Sequence, residues 1–373
     1  MVKDLLVVLH PKDPLFPRHA HVLEPHEFYL GAYDVFIENA GMLVDPNRID
    51  DFALPRFKDI VPFLQRKASP PGSLVSAMVN HALSGALHHM YPRDPMPHGS
   101  RHACLVNMCR QIDGHVEILR LVEQAMETAS VLIRQAMERS SGTGTVDTAI
   151  ARFKENRRAF RGAELGFPSR EELLEASLGV LNSTETKLLN SPSDDDLDYG
   201  SEDFPDNIVV IGSQLVSRGI TIEGLRTTYY VHEPNDIVND STIQNARWLG
   251  PLKEDMDLIS IHLSGELIRR FRNIAWDDAM LRDTFRHCKE NDIPLLDISI
   301  NHTLGHKLSS KNRHMSRKSS SGNKVQIKSP WIGTDNQSQD ALNEGLSSLL
   351  GKYEQRGLIS GSGKNIGAII SEV

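Results

Sequence analysis

Three features of the 373-residue sequence predict an α/β fold built on a parallel sheet. The aliphatic runs 103-ACLVNMC-109, 208-IVVIG-212 and 258-LISIHLS-264 are continuous rather than alternating, as strands buried on both faces are. Stretches with helical apolar spacing lie between them, the longest over 113–139. Hydrophobic residues at 39% and charged residues at 24% fit a soluble globular chain, long enough for roughly two domains of about 150 residues.

The elements follow in order. Residues 5–9 read as a strand fragment, and 10–72 are rich in Pro, His and Asp with little periodicity, so 1–72 is predicted to be an irregular N-terminal segment. Leu74, Met78, Val79, Ala82, Leu83, Ala86 and Leu87 recur at helical spacing. The turn-rich 92-PRDPMPHGS-100 precedes the first buried strand, and the 113–139 helix follows it. Leu173, Leu174, Leu178 and Leu181 predict a helix over 170–190. The segment 191-SPSDDDLDYGSEDFPD-206 is acidic and poor in aliphatics, which predicts a disordered insert with solvated carboxylates. The core resumes with strands at 208–212, 227–231 and 258–264, a helix near 241–249, and helices over 265–273 and 277–290. Residues 301–373 read as a basic, low-complexity linker and tail, Ser/Lys/Arg-rich over 305–329. In such sheets ligands sit at the carboxyl ends of strands, which predicts a functional position for residues 212–224.

Charge and composition exclude several classes. A net charge of −8 argues against a protein coated in basic surface, but a local nucleic-acid groove survives in such a sum. Cys104, Cys109 and Cys288 are too few and too irregularly spaced for a disulfide framework or a CxxC zinc site. The run Leu5 to Leu9 is too short for a signal peptide or a membrane span, so an intracellular protein is expected, cytoplasmic or, in a eukaryote, nuclear. Seven of the sixteen histidines cluster in two sequence groups, His19, His21, His26 and His88, His89, His98, His102. Neither shows the i,i+4 pairing with an intervening acid that a zinc hydrolase needs, so no metal site is predicted.

The densest chemistry lies in 217-SRGITIEGL-225, after one strand and before the next. Gly219 permits a positive φ or a close backbone approach, as a phosphate-facing turn requires. The Ser217 and Thr221 hydroxyls can hold nucleic-acid phosphates without reading sequence, and the planar fork of Arg218 can reach a phosphate from the cleft rim. A tight joint between strands, with Arg218 paired to Glu223, is the structural alternative. Further on, 244-QNARWLG-250 sets Gln244 and Arg247 three apart, on one side of a helix. Ser241 with Gln244 also fits a capping box, and Trp248 reads as a core or lobe-contact aromatic.

This order of pieces resembles the Z1-domain family, which is related to the second RecA-like lobe of superfamily-2 helicases and carries an endonuclease label. Its hallmark is Ser-Arg-Gly-Leu-Thr-Leu-Glu-Gly-Leu, a Tyr-rich strand, and Gln-x-Gly-Arg-Trp-Phe-Gly; here these stand as 217-SRGITIEGL-225, 227-TTYYV-231 and 244-QNARWLG-250. The pieces 14-PLFPRHAHVLEPHEFYLGAYDVF-36 and 73-SLVSAMVNHALSGAL-87 are also similar, so the likeness covers roughly residues 13–290. The resemblance implies a P-loop NTPase-type second lobe over 73–300 and an N-terminal segment left from the region between lobes. It implies a DNA-processing, helicase-like hydrolase in which Ser217, Arg218, Gly219 and Thr221 hold phosphate. Arg247, supported by Gln244, would then reach an ATP γ-phosphate on a partner lobe.

Departures from the pattern are specific. Ala246 replaces a glycine, Pro251-Leu252 replaces an aromatic and a second arginine, and Leu215 stands where lysine is common. No G-x-x-x-x-G-K-[ST] first lobe precedes the resemblance, so ATP and Mg²⁺ are expected only with a complementary first-lobe partner in trans. The tail sequence 357-GLISGSGKNIG-367 fails as a phosphate loop in its glycine spacing, in Asn365, and in the short stretch after Lys364. Asp255 and Asp257 flank a strand start without the Glu-x-Lys partner of a nuclease metal set. A non-catalytic nucleic-acid or partner-binding module therefore stands beside the ATP-dependent reading.

Overall fold

The fold is described from a computed structural model. It describes residues 22, 24–45, 49, 51, 59–91, 101–109, 111–139, 144–162, 166–189, 197–201, 203–212, 222–231, 242–243, 246 and 248–291. These residues fall within one compact unit. Five strands, β1 (His102–Asn107), β2 (Thr184–Leu189), β3 (Asn207–Gly212), β4 (Leu225–Tyr230) and β5 (Ser260–Leu263), form one sheet in the order β2-β3-β1-β4-β5. Every pairing is parallel. Each residue of β1, β3, β4 and β5 is buried, which is why these segments read as unbroken apolar or small-residue runs.

Around the sheet lie α1 (Ala40–Leu43), α2 (Ile60–Gln65), α3 (Gly72–Met90), α4 (Ile112–Met137), α5 (Thr145–Arg161), α6 (Arg170–Ser183) and α7 (Gly265–Glu290). The largest core sets α2–α6 on one face, against Cys104, Val106, Val209, Ile211 and Tyr229. On the other face α7 and the N-terminal residues cover β4 and β5 through Leu30, Phe36, Trp248, Ile261 and Phe271. A smaller cluster, with Leu197, Ile222, Tyr199 and Phe204, covers Ala103, Leu105, Ile208 and Val210. No described helix is long and apolar enough to cross a membrane.

Several expectations are corrected. The helix predicted over 170–190 stops at Ser183, where the β-branched Thr184 and Thr186 begin the half-buried edge strand β2. The two C-terminal helices are one, because Ile274 and Ala275 continue the buried stripe of Leu267 and Phe271 across the expected break. The second half of the acidic insert is not disordered: Leu197 is buried and Arg101 lies over the Tyr199 and Phe204 rings at 4.9 and 5.8 Å. Residues 191–196 lie outside the described residues.

The N-terminal segment is not merely a connection. Leu30 and Gly250 exchange backbone hydrogen bonds of 2.6 and 3.1 Å in an antiparallel bridge. A π-helical turn, Asp34–Glu38, lays Phe36 on Phe271 with ring centroids 5.0 Å apart and nearly parallel. Val44 then pairs in parallel with Ile261, Asp45 N–H donates to Ile261 O at 2.8 Å, and Ile49 N–H to Leu263 O at 3.2 Å. The backbone groups of β5 that would otherwise form an open edge are satisfied this way. The early strand fragment at 5–9 lies outside the described residues.

Buried polar groups staple the β5 side. Ser260 and His262, two apart, share the face toward α3 and α5. Asn80 Nδ2 donates to Asp45 Oδ2 at 2.9 Å and to Ser260 Oγ at 3.2 Å, and lies 3.0 Å from His262 Nε2. Arg152 donates to Ser260 Oγ at 2.7 Å and pairs with Asp45 at 2.8 Å. A small polar cleft beside this network is lined by Asp45, Ser76, Asn80, Thr145, Thr148 and Arg152. Burial, helped by Arg152 and opposed by Asp45, pushes the His262 imidazole down to about 4. At the next residue of α3, His81 and His102 stack at 4.4 Å, and His102 Nε2 lies 2.9 Å from His81 O. Burial takes His81 down to about 3 and His102 well below its usual range, aided by its cationic and histidine neighbours.

Two further carboxylates hold the 3₁₀ turn Lys253–Leu258. Arg226 and Asp255 pair at 2.9 Å with almost no exposed side-chain surface. Asp257 takes Arg157 and Arg161 from α5, each at 3.4 Å. Both aspartates weighed as nuclease ligands are thus engaged by arginines.

Asp255→Ala leaves the buried Arg226 guanidinium without its carboxylate and is expected to cost about 3–5 kcal/mol in denaturant unfolding. An apolar pair at both positions is expected to recover most of that loss. The histidines set the acid side of stability. Between about pH 6.5 and the depressed folded values, the unfolded chain binds protons that the folded chain refuses, so stability rises with pH. Thermal unfolding followed from pH 7.5 to about pH 4.5 is therefore expected to show a falling midpoint. His262→Gln is expected to flatten that slope, removing on the order of 3 kcal/mol of linked loss at its full extent.

Candidate functional site at the carboxyl edge of the sheet

Because all five strands run the same way, their last residues share one edge: Leu189, Gly212, Asn107, Tyr230 and Leu263 in spatial order. The segment 213–221 departs from this edge at Gly212, and 232–241 departs beside Tyr230 and Val231. The two departures flank β1, the central strand, so Asn107 stands between them. The predicted site residues Ser217, Arg218, Gly219, Thr221, Gln244 and Arg247 lie outside the described residues, as does Ser241. Their flanks are described, and these divide the hallmark segment in two.

Glu223 and Gly224 are not at the carboxyl edge. A parallel neighbour must be entered at its amino end, so the chain that leaves β3 at Gly212 has crossed to the opposite edge by Gly224. There Glu223 pairs with Arg101, and Tyr199 Oη accepts the Glu223 N–H at 3.0 Å. Gly224 has φ of 70°, and a Cβ there would lie 2.2 Å from Arg101 O. Ala103 N–H donates to Gly224 O at 2.9 Å, and Arg226 donates to Arg101 O at 2.8 Å. The expectation that residues 212–224 as a whole occupy the functional position is corrected: the last three form a structural joint, and the functional reading narrows to 213–221.

The second motif is anchored on the α7 face. Trp248 is buried, with Tyr230 and Phe271 packed edge-on at 5.6 and 5.2 Å. Trp248 is a core aromatic. Ala246, the replacement for the family glycine, is buried beside it, as is Leu252 in place of an arginine or aromatic. Packing occupies these departure positions.

Two helix ends at this edge are already served by the chain. Asp51 caps α3, its carboxylate accepting Ser73 N–H at 2.8 Å and Ser73 Oγ–H at 2.5 Å, and Ser73 Oγ lies 2.9 Å from the Tyr229 hydroxyl. Burial pushes the Tyr229 phenol upward, against the Ser73 hydrogen bond. Ser264 caps α7 by accepting Leu267 N–H at 3.2 Å. A phosphate at the N-terminus of α3 would meet the Asp51 carboxylate in place of free amides. Among the described residues no group of three or more His, Cys, Asp or Glu is placed to hold a metal ion.

The five-stranded, all-parallel α/β unit is consistent with a Rossmann-like or RecA-like fold. The family model of the Z1 domain matches residues 73–303, and the chain belongs to the Z1-domain family. No curated protein and no solved structure matches the chain.

Sequence reasoning missed the Asp45–Asn80–Arg152–His262 network, since Asp45 lies in an aperiodic stretch with no local signal. Asn107 did carry one: it is the polar residue inside the apolar run 103-ACLVNMC-109. Gly224→Ala is expected to destabilise by about 3 kcal/mol or more, measured by chemical unfolding, because a side chain there meets both an unfavourable φ and a backbone carbonyl.

Proposed function

We propose that this chain is a nucleic-acid-processing component, nuclease- or helicase-like, that handles phosphate at the carboxyl edge of its sheet. The observation that supports it is the emergence of the 213–221 and 232–247 segments from neighbouring strand ends on either side of β1. On this reading Ser217, Arg218, Gly219 and Thr221 hold a DNA phosphate through hydroxyls, backbone amides and a guanidinium. Gln244 would support Arg247, which would supply positive charge to a phosphoryl group presented by a partner lobe. ATP and Mg²⁺ belong to that partner, which alone would bring the phosphate loop; this chain supplies the arginine in trans.

A second reading, a binding module without chemistry of its own, is favoured by one observation. Asp255 and Asp257, the acids nearest a nuclease arrangement in sequence, are both paired with arginines. The two readings share the phosphate contact and differ in turnover.

Fluorescence anisotropy with labelled DNA, at about 50 mM and about 200 mM salt, tests the shared contact. The parent is expected to bind more weakly at high salt. Arg218→Ala is expected to weaken binding at low salt several-fold and to lower the log–log salt slope by about one. A parent that binds no DNA, or an Arg218→Ala slope equal to the parent's, overturns the reading. DNA-stimulated ATP hydrolysis that appears only when a first-lobe ATPase is added separates the catalytic from the binding version.

A further inference from the structure

The polar cleft beside β5 is walled by two facing helix stripes. Ser76 and Asn80 stand one turn apart on α3, and Thr145, Thr148 and Arg152 follow one another at helical spacing on α5. Its floor is the paired network: Asn80 and Asp45 are buried, and Arg152 pairs with Asp45 at 2.8 Å while donating to Ser260 Oγ at 2.7 Å. Its mouth is open, because Thr145 and Thr148 are exposed. With that mouth the cleft measures about 250 Å³, below the roughly 300–1,000 Å³ of pockets that take drug-sized ligands. Its enclosed part has room for about one water-sized group.

Ser76 is the wall residue that the fold does not use. It is 9% exposed, and its hydroxyl makes no hydrogen bond to the described residues. Unlike Asn80 Oδ1, that hydroxyl is not sealed from solvent; it borders the cleft. On the opposite wall Thr148 Oγ donates to Gly144 O at 3.1 Å, so its lone pairs are left to accept. Charge then decides the class of occupant. The Asp45 carboxylate and the Arg152 guanidinium cancel, so an ion of either sign meets one repelling partner and must still shed water. A neutral hydroxyl escapes that cost: it accepts from Ser76 and donates to Thr148. Thr145, at the rim, offers a further hydroxyl to a neighbouring group of the same ligand.

We infer that this cleft is a sugar-binding site, seating one hydroxyl of a ribose-sized ring between Ser76 and Thr148, with Thr145 serving the adjacent hydroxyl at the mouth. The strand that borders it, β5, stands three strand spacings, about 14 Å, from β3, where the 213–221 segment departs. The site uses none of the residues of the phosphate-handling reading, so it goes beyond that reading and does not rest on it. The sugar is either free or the ribose of a nucleotide; both present the same adjacent hydroxyls.

The test uses the full chain with D-ribose, adenosine and glycerol, and sets Ser76→Ala, Thr148→Val and Arg218→Ala beside the parent. Binding is read by saturation-transfer NMR and by the thermal midpoint. The parent is expected to bind D-ribose with a Kd on the order of millimolar, as suits so small a contact. Ser76→Ala is expected to keep the sugar-free midpoint, since its hydroxyl holds nothing in the fold, and to weaken ribose binding about fivefold. Thr148→Val is expected to show a similar loss, and Arg218→Ala none. Adenosine that displaces ribose identifies a nucleotide as the source, and ribose binding that adenosine leaves untouched identifies a free sugar. A parent without a ribose signal, as from a cleft that holds water alone, overturns the inference. Equal ribose binding by Ser76→Ala and Thr148→Val also overturns it. So does a midpoint rise that glycerol matches and Ser76→Ala shares, which marks general cosolvent stabilisation. Each of these failures leaves the phosphate reading to its own DNA-binding test.

Discussion

Parallel pairing of β3, β1 and β4 is the constraint from which the rest of the structure follows. It aligns the strand ends, so that segments far apart in sequence leave from one edge. It also forces the chain between β3 and β4 to traverse the sheet within a dozen residues. That is why the end of the hallmark 217–225 segment is locked at the amino edge, by Arg101, Tyr199 and the Arg226–Asp255 pair, although β3 ends at the carboxyl edge. The described end of this motif, Ile222–Leu225, fixes where the next strand begins.

The buried charges serve the same geometry. Arg226, on β4, holds Asp255, while Asp257 holds two arginines of α5, so the 3₁₀ turn before β5 is fixed from both sides of the sheet. On the β5 side, the amide of Asn80 and the guanidinium of Arg152 tie Ser260 and Asp45 together across three segments. These groups are buried and mutually paired, so they specify register and docking angle. The site itself is left to residues at the strand ends.

Much of this was legible in the sequence. Apolar runs gave β1, β3 and β5, and apolar periodicity located α3 and α4 almost to their ends, because both depend on local pattern. The edge strand β2 was hidden within a helical reading, since a half-buried strand of six residues lacks the aliphatic run of a central one. Helix α5, with charged residues along much of its length, gave no expectation at all. The N-terminal residues looked aperiodic because their structure is set by distant partners: Leu30 by Gly250, Phe36 by Phe271, Val44 by Ile261. For the site, residue types and order pointed to phosphate chemistry, and the division of 212–224 between two edges needed the sheet topology. Asn107 was visible as a polar residue in an apolar run, but only register showed that it stands between the two exits.

The N-terminal clasp carries a consequence for biosynthesis. Residues 30–49 leave the ribosome well before their partners, which are encoded more than two hundred positions later. At translation rates of roughly 5–20 residues per second, this segment waits on the order of ten seconds or more with Leu30, Phe36 and Val44 uncovered. The sheet cannot close its β5 side co-translationally from the front. Completion of the β5 side is therefore a late event in synthesis, one that waits on residues 250–271.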